Sequence, residues 1–164
     1  MILTKKEVLQ EIKAKRIKVT PFSKKNLGPA SLDLTLSDEF RAFKPFDKIK
    51  VTEKIDYKKL TKKKKVKQIV LEPGAFVLGI TKEKITLPED ICATLSGRSR
   101  FARLGILIHA TANLVHPGVN NRQVLEIKNV SNNTLVLKPG LKIAQIAFMR
   151  TEGKAKYKGK FRRQ

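Results

Sequence analysis

Three arginines and two serines lie close together in the chain, in a pattern that suits phosphate binding. Arg98, Arg100 and Arg103 fall within six residues, beside Ser96 and Ser99. If this stretch forms a helical turn, Ser99 and Arg103 share one face. Its exposed N–H groups would attract anions, and each guanidinium offers a planar fork that binds phosphate through two hydrogen bonds. The pattern predicts either a phosphate cradle or an ordinary basic surface turn, and the arginines alone do not separate the two.

One glutamate further along the chain has the chemistry of a proton carrier. Glu126 lies in the run VLEIKN (124–129), where a strand would point its side chain away from the face of Leu125 and Ile127. Hydrolytic deamination of cytosine needs such a group, because water attacks C4, N3 gains a proton and ammonia leaves. A carboxylate on a barrel wall can take the proton from water and pass it on. The alternative is a solvent-facing glutamate that pairs with a lysine.

The histidines and the cysteine do not form a zinc-binding pattern. His109 and His116 are seven residues apart, and the only cysteine of the sequence, Cys92, is not beside them. The zinc-dependent deaminases need a His-x-Glu element and a Pro-Cys-x-x-Cys pair, which this sequence lacks. We therefore predict that any deamination works without zinc, and we interpret His109 as a structural or supporting residue.

The segments that must position these residues have the character of short strands. Apolar runs recur roughly every ten residues with Pro and Gly turns between them, which is typical of a sandwich or barrel. The predicted strands are 31–36, 67–71, 76–80, 91–95, 106–110, 124–128, 134–137 and 143–148. Two runs, LEPGAFVLGI (71–80) and LKPGLKIAQI (137–146), echo each other. The echo suits two related halves of a jelly-roll-like barrel, or it reflects shared turn chemistry.

The N-terminus is the one segment with a clear helical pattern. Residues 3–16 place apolar side chains on one face and lysines on the other. Thr4 followed by Glu7 fits a capping box. The chain length of 164 residues suits one compact domain. We predict a single all-β domain over residues 1–164, with a short N-terminal helix inside residues 1–20.

The charge of the chain points to anionic partners. It has 36 Lys and Arg against 14 Asp and Glu, a net charge of +22. Such a field attracts nucleotide phosphates, nucleic acid or anionic lipid, although a solvated basic surface would also explain it. Seven lysines lie within 57–67, which we predict to be a charged hairpin tip or loop that is mobile because the lysines repel one another. Residues 151–164 are predicted to be a basic tail that stays flexible until it meets a ligand or a neighbouring chain.

The sequence also bears on where the protein acts. The N-terminus lacks the apolar core of a secretory signal, and no apolar run approaches the roughly 18 residues that span a membrane. We expect a cytoplasmic protein without a membrane partner.

Several motifs, taken in order, resemble the dCTP deaminase family, whose members include bifunctional enzymes that also cleave dUTP to dUMP. The matching segments are GPASLDLTL (28–36), SGRSRFARLG (96–105), HATA (109–112), HPG (116–118), VLEI (124–127), LKPGLKIAQ (137–145) and KFRRQ (160–164). They span residues 28–164 in the order that the family has them, so the resemblance is specific.

The resemblance implies a fold, an assembly and a set of roles. The fold would be a distorted, jelly-roll-like and dUTPase-like β-barrel, assembled as a homotrimer with active sites between subunits. Mg²⁺ would be held mainly by the triphosphate of dCTP or dUTP. The resemblance implies catalytic roles for Glu126, Ser99 and Arg103, and substrate contacts for Arg98, Arg100, Thr111, Ala112, His116, Tyr157, Lys160 and Gln164.

Departures from the family pattern decide between the activities. His116 stands where the family usually has an aspartate that contacts the sugar 3′-hydroxyl and, in dUTP-cleaving members, helps to place the water. Val119 replaces a usual aromatic, Asn121 a usual glycine and Phe161 a usual tyrosine. The family's plain dUTPase relatives end in a Gly/Ser-rich phosphate loop and lack a glutamate at position 126.

We therefore predict zinc-independent deamination of dCTP to dUTP and ammonia. One alternative is a dUTP diphosphatase, or a bifunctional enzyme that releases dUMP and pyrophosphate. Another is a catalytically weak member that binds nucleic acid, since a non-specific affinity for nucleic acid would follow from the charge.

Overall fold

The chain is mostly β-structure. A computed structural model describes residues 1–109 and 111–162. The helices are α1 (Lys5–Lys13), α2 (Tyr57–Leu60) and α3 (Ser99–Ala102), with 3-10 turns at Lys24–Asn26 and Lys160–Arg162. The strands are β1 (Lys18–Thr20), β2 (Leu32–Phe43), β3 (Thr61–Lys65), β4 (Ile69–Leu71), β5 (Phe76–Thr86), β6 (Ile91–Gly97), β7 (Ile106–Ile108), β8 (Leu114–Val115), β9 (Asn120–Asn129), β10 (Leu135–Leu137) and β11 (Lys142–Arg150).

Nine of these strands form one curled antiparallel sheet. Its order is β7-β9-β5-β2-β11-β6-β8, with β1 added to β5 and β3 added to β2, while β4 and β10 pair separately. The two longest strands are β2 and β5. A register shift between Leu36 and Phe40 of β2 interrupts the β2–β5 pairing, and another between Ile80 and Lys84 of β5 interrupts the β5–β9 pairing. Such irregularities bend a strand and increase its twist, so each long strand pairs with different neighbours at its two ends. The predicted all-β fold, a distorted barrel with a short N-terminal helix, is confirmed.

The barrel interior is filled by the alternating apolar side chains of the long strands. Leu34, Leu125, Ile127, Ile143 and Phe148 are fully buried. Along β9 the side chains alternate between buried and partly exposed from one end to the other. The same alternation that buries Leu125 and Ile127 therefore turns Glu126 to the opposite face of the sheet, as predicted.

The N-terminal helix is held against the barrel by an ion-pair cluster. Glu11 is buried, and its carboxylate accepts hydrogen bonds from Arg16 and from Arg150 of β11, both at 2.7 Å. The helix is shorter than the predicted 3–16. Thr4 is the N-cap residue, but its side chain makes no cap bond and instead donates a hydrogen bond to the Glu7 carboxylate. The capping-box prediction was therefore only half right.

The predicted strands exist, but several boundaries were wrong. β2 and β5 run well beyond the predicted 31–36 and 76–80 because their outer halves carry charged side chains that interrupt the apolar pattern. The strand predicted at 106–110 ends at Ile108, and Ala110 lies outside the described residues. Strands β1, β3 and β8 were missed.

The prediction of a mobile loop at 57–67 was wrong. Tyr57–Leu60 forms a helical turn capped by the Asp56 side chain, which accepts a hydrogen bond from the Lys58 N–H at 3.1 Å. Residues Thr61–Lys65 then pair with β2 over five residues. Alternate side chains of a strand point to opposite faces, which separates neighbouring lysines. Glu39 of β2 also forms an ion pair with Lys63.

The echo between 71–80 and 137–146 has a structural basis. Each run contains the end of a short strand, a Pro-Gly turn and the start of a long strand. Gly74 and Gly140 both adopt positive φ, 79° and 96°, which glycine tolerates without strain. The short strands β4 and β10 pair with each other. The two echoing runs therefore meet at their short strands.

None of the helices that the structure describes has the length and apolar run that a membrane crossing requires.

Glu39 links β3 to the barrel in a pH-dependent way. Hydrogen bonds from Lys63 and Arg122 lower the pKa of its carboxyl from 4.5 to about 2. Because the pKa is lower in the folded protein, the interaction stabilises the fold above about pH 4.5 and is lost as the pH falls towards 2.

We expect Glu39→Gln to lower the free energy of unfolding at neutral pH by about 1.5–3 kcal/mol, the range for hydrogen bonds to charged groups. The difference from wild type should shrink as the pH falls through this window. Denaturant unfolding across pH would measure it, with the exposed Glu53→Gln as control. A difference that does not change with pH would contradict the assignment.

Candidate active site

A cavity of about 490 Å³ opens on the face of the sheet that carries Glu126. Its volume lies within the roughly 300–1,000 Å³ typical of small-molecule sites. Its walls come from β2, α2, β5, β9, the segment after β7 and the C-terminal tail. The lining residues are Phe43, Tyr57, Phe76, Leu78, His109, Ala112, Leu114, Val115, His116, Val119, Asn121, Gln123, Val124, Glu126, Tyr157 and Phe161.

The Glu126 carboxylate is fixed by one neighbouring residue. Its Oε2 accepts a hydrogen bond from the Thr111 N–H at 2.9 Å and another from the Thr111 hydroxyl at 2.7 Å. Two donors on one oxygen orient the carboxylate. The solvent-facing alternative, in which Glu126 pairs with lysine, does not describe this geometry.

His109 shapes the turn that delivers Thr111. Its backbone N–H donates to the Glu126 carbonyl at 2.9 Å, and its Nε2 lies 2.5 Å from the Ala112 carbonyl oxygen. Its φ of +61° is unusual for a residue with a side chain, and such conformations cluster at functional sites. Its Nδ1 is buried without a hydrogen-bond partner in the described part of the chain. These contacts agree with a supporting role for His109.

The C-terminal tail lies across one wall of the cavity. The Tyr157 ring stacks on His116 with centroids 4.9 Å apart and planes at 11°, and its N–H donates to the Pro117 carbonyl at 3.0 Å. The Asn121 side-chain amide donates to the Phe161 carbonyl at 2.6 Å. Tyr157 and His116 thus meet in the cavity wall, and the substrate contacts predicted for them stay a prediction.

Lys160 and Gln164 are the last of the predicted site residues. Lys160 is exposed, and its Nζ is 4.0 Å from Asp56. Gln164 lies outside the described residues. Arg162, the last described residue, donates to the Gly118 carbonyl at 3.2 Å. The tail is therefore held on both sides of Lys160.

The arginine-rich turn is not part of this cavity. Ser99–Ala102 forms the predicted helical turn, and the Arg103 N–H donates to the Ser99 carbonyl at 3.1 Å. Arg98 pairs with Asp33 at 3.1 Å and donates to the Lys142 carbonyl at 2.9 Å. Ser99, Arg100 and Arg103 are exposed. Within one chain, none of the four predicted residues of this turn lines the Glu126 cavity.

Sequence reasoning gave a site role to Tyr157 but to none of the other aromatic side chains and neither of the amide side chains of the cavity. Asn121 and Gln123 had a signal, because they are polar residues at the buried positions of a strand that otherwise alternates cleanly. Gln123 donates to Asn121 at 2.6 Å, and Asn121 in turn holds the tail. Phe43, Tyr57 and Phe76 had no signal, since only the folded sheet brings them beside Glu126.

A family model described as dCTP deaminase-like matches residues 2–151. The chain belongs to the dCTP deaminase-like family. A relative from a Nocardioides species named "dCTP deaminase, dUMP-forming" is 37% identical over 100% of this chain and 91% of its own length. One from Mycolicibacterium vanbaalenii with the same name is 37% identical over 96% of this chain and 84% of its own.

Solved structures show the same fold. A 2′-deoxycytidine 5′-triphosphate deaminase from Agrobacterium tumefaciens superposes with a TM-score of 0.70 at 24% identity. The match covers 90% of this chain and 48% of that one, so this family member spans about half the length of the Agrobacterium protein. A dUTPase of Staphylococcus bacteriophage 80alpha gives a TM-score of 0.53 at 14% identity, over 88% of both chains.

The side chains that could bind the expected Mg²⁺ ion can be compared with what a metal site requires. In residues 1–109 and 111–162, no three His, Cys, Asp or Glu side chains converge as a metal-binding group would require. A protein-only Mg²⁺ site therefore does not fit the residues described, and an ion here would need phosphate oxygens as ligands. The absence of zinc stays a prediction from the sequence.

Thr111 gives a direct test of how Glu126 is held. Thr111→Val keeps the shape of the side chain and removes one of the two hydrogen bonds to the carboxylate. A lost hydrogen bond to a charged group is worth about 1–3 kcal/mol, so we expect kcat for ammonia release from dCTP to fall roughly 5- to 150-fold, with a smaller change in KM.

Thr134→Val is the matched control, because the Thr134 hydroxyl also donates to a carboxylate, that of Glu72, at 2.6 Å. That pair is not among the lining residues of the cavity. Equal losses of kcat in the two variants would contradict a positioning role for Thr111.

Proposed function

We propose that this member of the family hydrolyses dCTP to dUTP and ammonia, with Glu126 as general base and proton shuttle. One observation carries the proposal: the Glu126 carboxylate is held by two hydrogen bonds inside a cavity of about 490 Å³ with aromatic walls. Apolar and aromatic walls suit a flat pyrimidine ring. Membership of the family supports the substrate class.

The chemistry follows from the position of the carboxylate. Glu126 takes a proton from water as its oxygen attacks C4 of the cytosine ring, and it delivers that proton to N3. Glu126 then takes the proton of the new C4 hydroxyl and passes it to the amino group. C4 becomes a carbonyl as the C4–N bond breaks, and ammonia leaves with dUTP as the other product. Thr111 occupies Oε2, so Oε1 is the oxygen available for these transfers. Such positioned acid–base catalysis contributes about 10²–10⁴-fold.

The remaining predicted residues fit the ends of the substrate. Ala112, in the cavity wall beside Thr111, is the proposed backbone contact for the base, while His116 and Tyr157 are proposed to contact the sugar. Lys160 and Gln164 are proposed to close over phosphates and base. Mg²⁺ bound to the triphosphate would neutralise part of its charge. We expect this reaction in the cytoplasm, where deoxynucleotides are made.

The triphosphate is proposed to bind the arginine-rich turn of a second subunit. Arg98, Ser99, Arg100 and Arg103 do not line the Glu126 cavity of their own chain, and three of them are exposed. A neighbouring copy that presents this turn at the cavity mouth would complete the site. A homotrimer with three sites between subunits satisfies this arrangement by closed symmetry.

A second candidate is the bifunctional reaction, in which dUTP loses pyrophosphate and dUMP is released. The relatives named "dCTP deaminase, dUMP-forming" favour it. His116, which stands where the family usually has aspartate, weighs against it. Water attacks phosphorus in this step, so arginine electrostatics would dominate. Supplying dCTP and dUTP separately and measuring ammonia and pyrophosphate in parallel distinguishes the two. Pyrophosphate from both substrates indicates the bifunctional enzyme, and ammonia alone from dCTP indicates the deaminase.

Glu126→Gln is the central test. We expect ammonia release to fall by at least about 10²-fold, while dCTP binding measured calorimetrically changes little, because the amide keeps the shape and one acceptor. Glu72→Gln is the control, since Glu72 is held by a threonine hydroxyl in the same way. Normal turnover by the Glu126 variant would remove this residue from the mechanism.

Shared sites can be tested by mixing inactive variants. Glu126→Gln and Arg103→Ala are each expected to be nearly inactive. When the two are co-expressed with different tags, we expect about one quarter of wild-type activity, because each site takes its glutamate and its arginine from different subunits with independent one-half probabilities. Mixed assemblies without recovered activity would place both residues of a site on one chain.

A further inference from the structure

Strand β3 presents lysines along an edge of the main sheet. Among the described residues, β3 pairs with β2 alone. Lys62, Lys63, Lys64 and Lys65 are all exposed, and no acidic residue occurs between Asp56 and Glu72 in the sequence. Alternate side chains of a strand are about 6.8 Å apart, a spacing of the same order as that between successive phosphates of an extended nucleic acid strand.

Two lysines of this edge, Lys63 and Lys65, share a sheet face with Glu126, whereas Lys62 and Lys64 point to the opposite face. Glu126 pairs across the sheet with Leu78, Leu78 with Arg41, and Arg41 with Lys63. Directly opposed residues lie on the same face, and three strand-to-strand steps correspond to about 15 Å. A second cavity, of about 180 Å³, lies along this row and is lined by Arg41, Tyr57 and Lys63 among others. The cavity region and the lysine edge are therefore continuous.

An exposed aromatic pair accompanies the basic residues. Phe43 and Phe76 are each 40% exposed, with ring centroids 5.9 Å apart. Phe43 of β2 is paired with Thr61 of β3, and Thr61 lies two residues before Lys63. Arg41 lies over the Tyr57 ring, 6.0 Å from its centroid. Basic side chains that follow a backbone, together with aromatic rings on which bases stack, are the two features of sites for single-stranded nucleic acid.

We propose that the β3 edge, defined by Lys62, Lys63, Lys64 and Lys65, binds single-stranded nucleic acid, with bases stacking on the Phe43–Phe76 pair. Unstacked bases can reach these rings, whereas the bases of a duplex are already stacked on each other. The four lysines do not line the cavity proposed for dCTP, but Phe43 and Phe76 do, so the stacking part of this proposal uses a wall that it shares with the proposed function. A lysine edge that only prevents strand-to-strand aggregation would need no aromatic partner.

The test compares two variants that each lose three positive charges. The edge variant replaces Lys62, Lys64 and Lys65 with Gln. It spares Lys63, because Lys63 pairs with Glu39. The matched control replaces Lys24, Lys25 and Lys138, which are all exposed and lie outside the β3 edge, with Gln. Binding of a fluorescent oligo-dT of about 16 nucleotides, and of a duplex of the same length, is measured by anisotropy at several salt concentrations.

Three lost phosphate contacts should reduce the slope of log K against log salt by about 2 for a single strand. We expect that change in the edge variant, a much smaller one in the control, and tighter binding of the single strand than of the duplex by wild type. Ammonia release from dCTP should be unchanged in both variants, which shows that they fold. Equal losses in the two variants, preference for duplex, or no binding by wild type at low salt would each overturn the proposal.

Discussion

The hydrogen-bonded pair of Glu126 and Thr111 is the interaction on which the proposed chemistry of this protein depends. The strict alternation of β9 buries Leu125 and Ile127 and leaves Glu126 on the other face. The turn after β7 then folds back so that Thr111 reaches the carboxylate, and the positive φ of His109 makes that reversal possible. The carboxylate proposed as catalytic is thus fixed by strands whose side chains fill the barrel.

The separation of the cavity from the arginine-rich turn gives the fold its second constraint. One chain supplies a cavity with aromatic walls and a carboxylate, while its own arginines lie on another surface. A nucleoside triphosphate has a flat base at one end and highly charged phosphates at the other. In one chain the cavity that would hold the base is not lined by the arginines that would hold the phosphates. Symmetric assembly would resolve this, since the same exposed turn could serve a neighbour.

The sheet shows where part of the large positive charge lies. Lysines that look like a repelling loop in the sequence form a strand whose alternation separates them, and Glu39 ties that strand to β2 and to Arg122 of β9. Part of the charge therefore lies on a defined strand. Lys63 and Lys65 of that strand share the sheet face of Glu126, and Lys62 and Lys64 lie on the other face.

Local patterns in the sequence determined the all-β class, the N-terminal helix, the face on which Glu126 lies and the motif order that identifies the family. Each of these depends on residues near one another in the chain, where periodicity and turn chemistry act. The tertiary structure alone decided that the 57–67 segment is ordered, because its lysine-rich strand is stabilised by backbone pairing with a distant strand. It also decided that Phe43, Tyr57 and Phe76 surround Glu126, and that the arginines do not, because the curl of the sheet sets which faces meet.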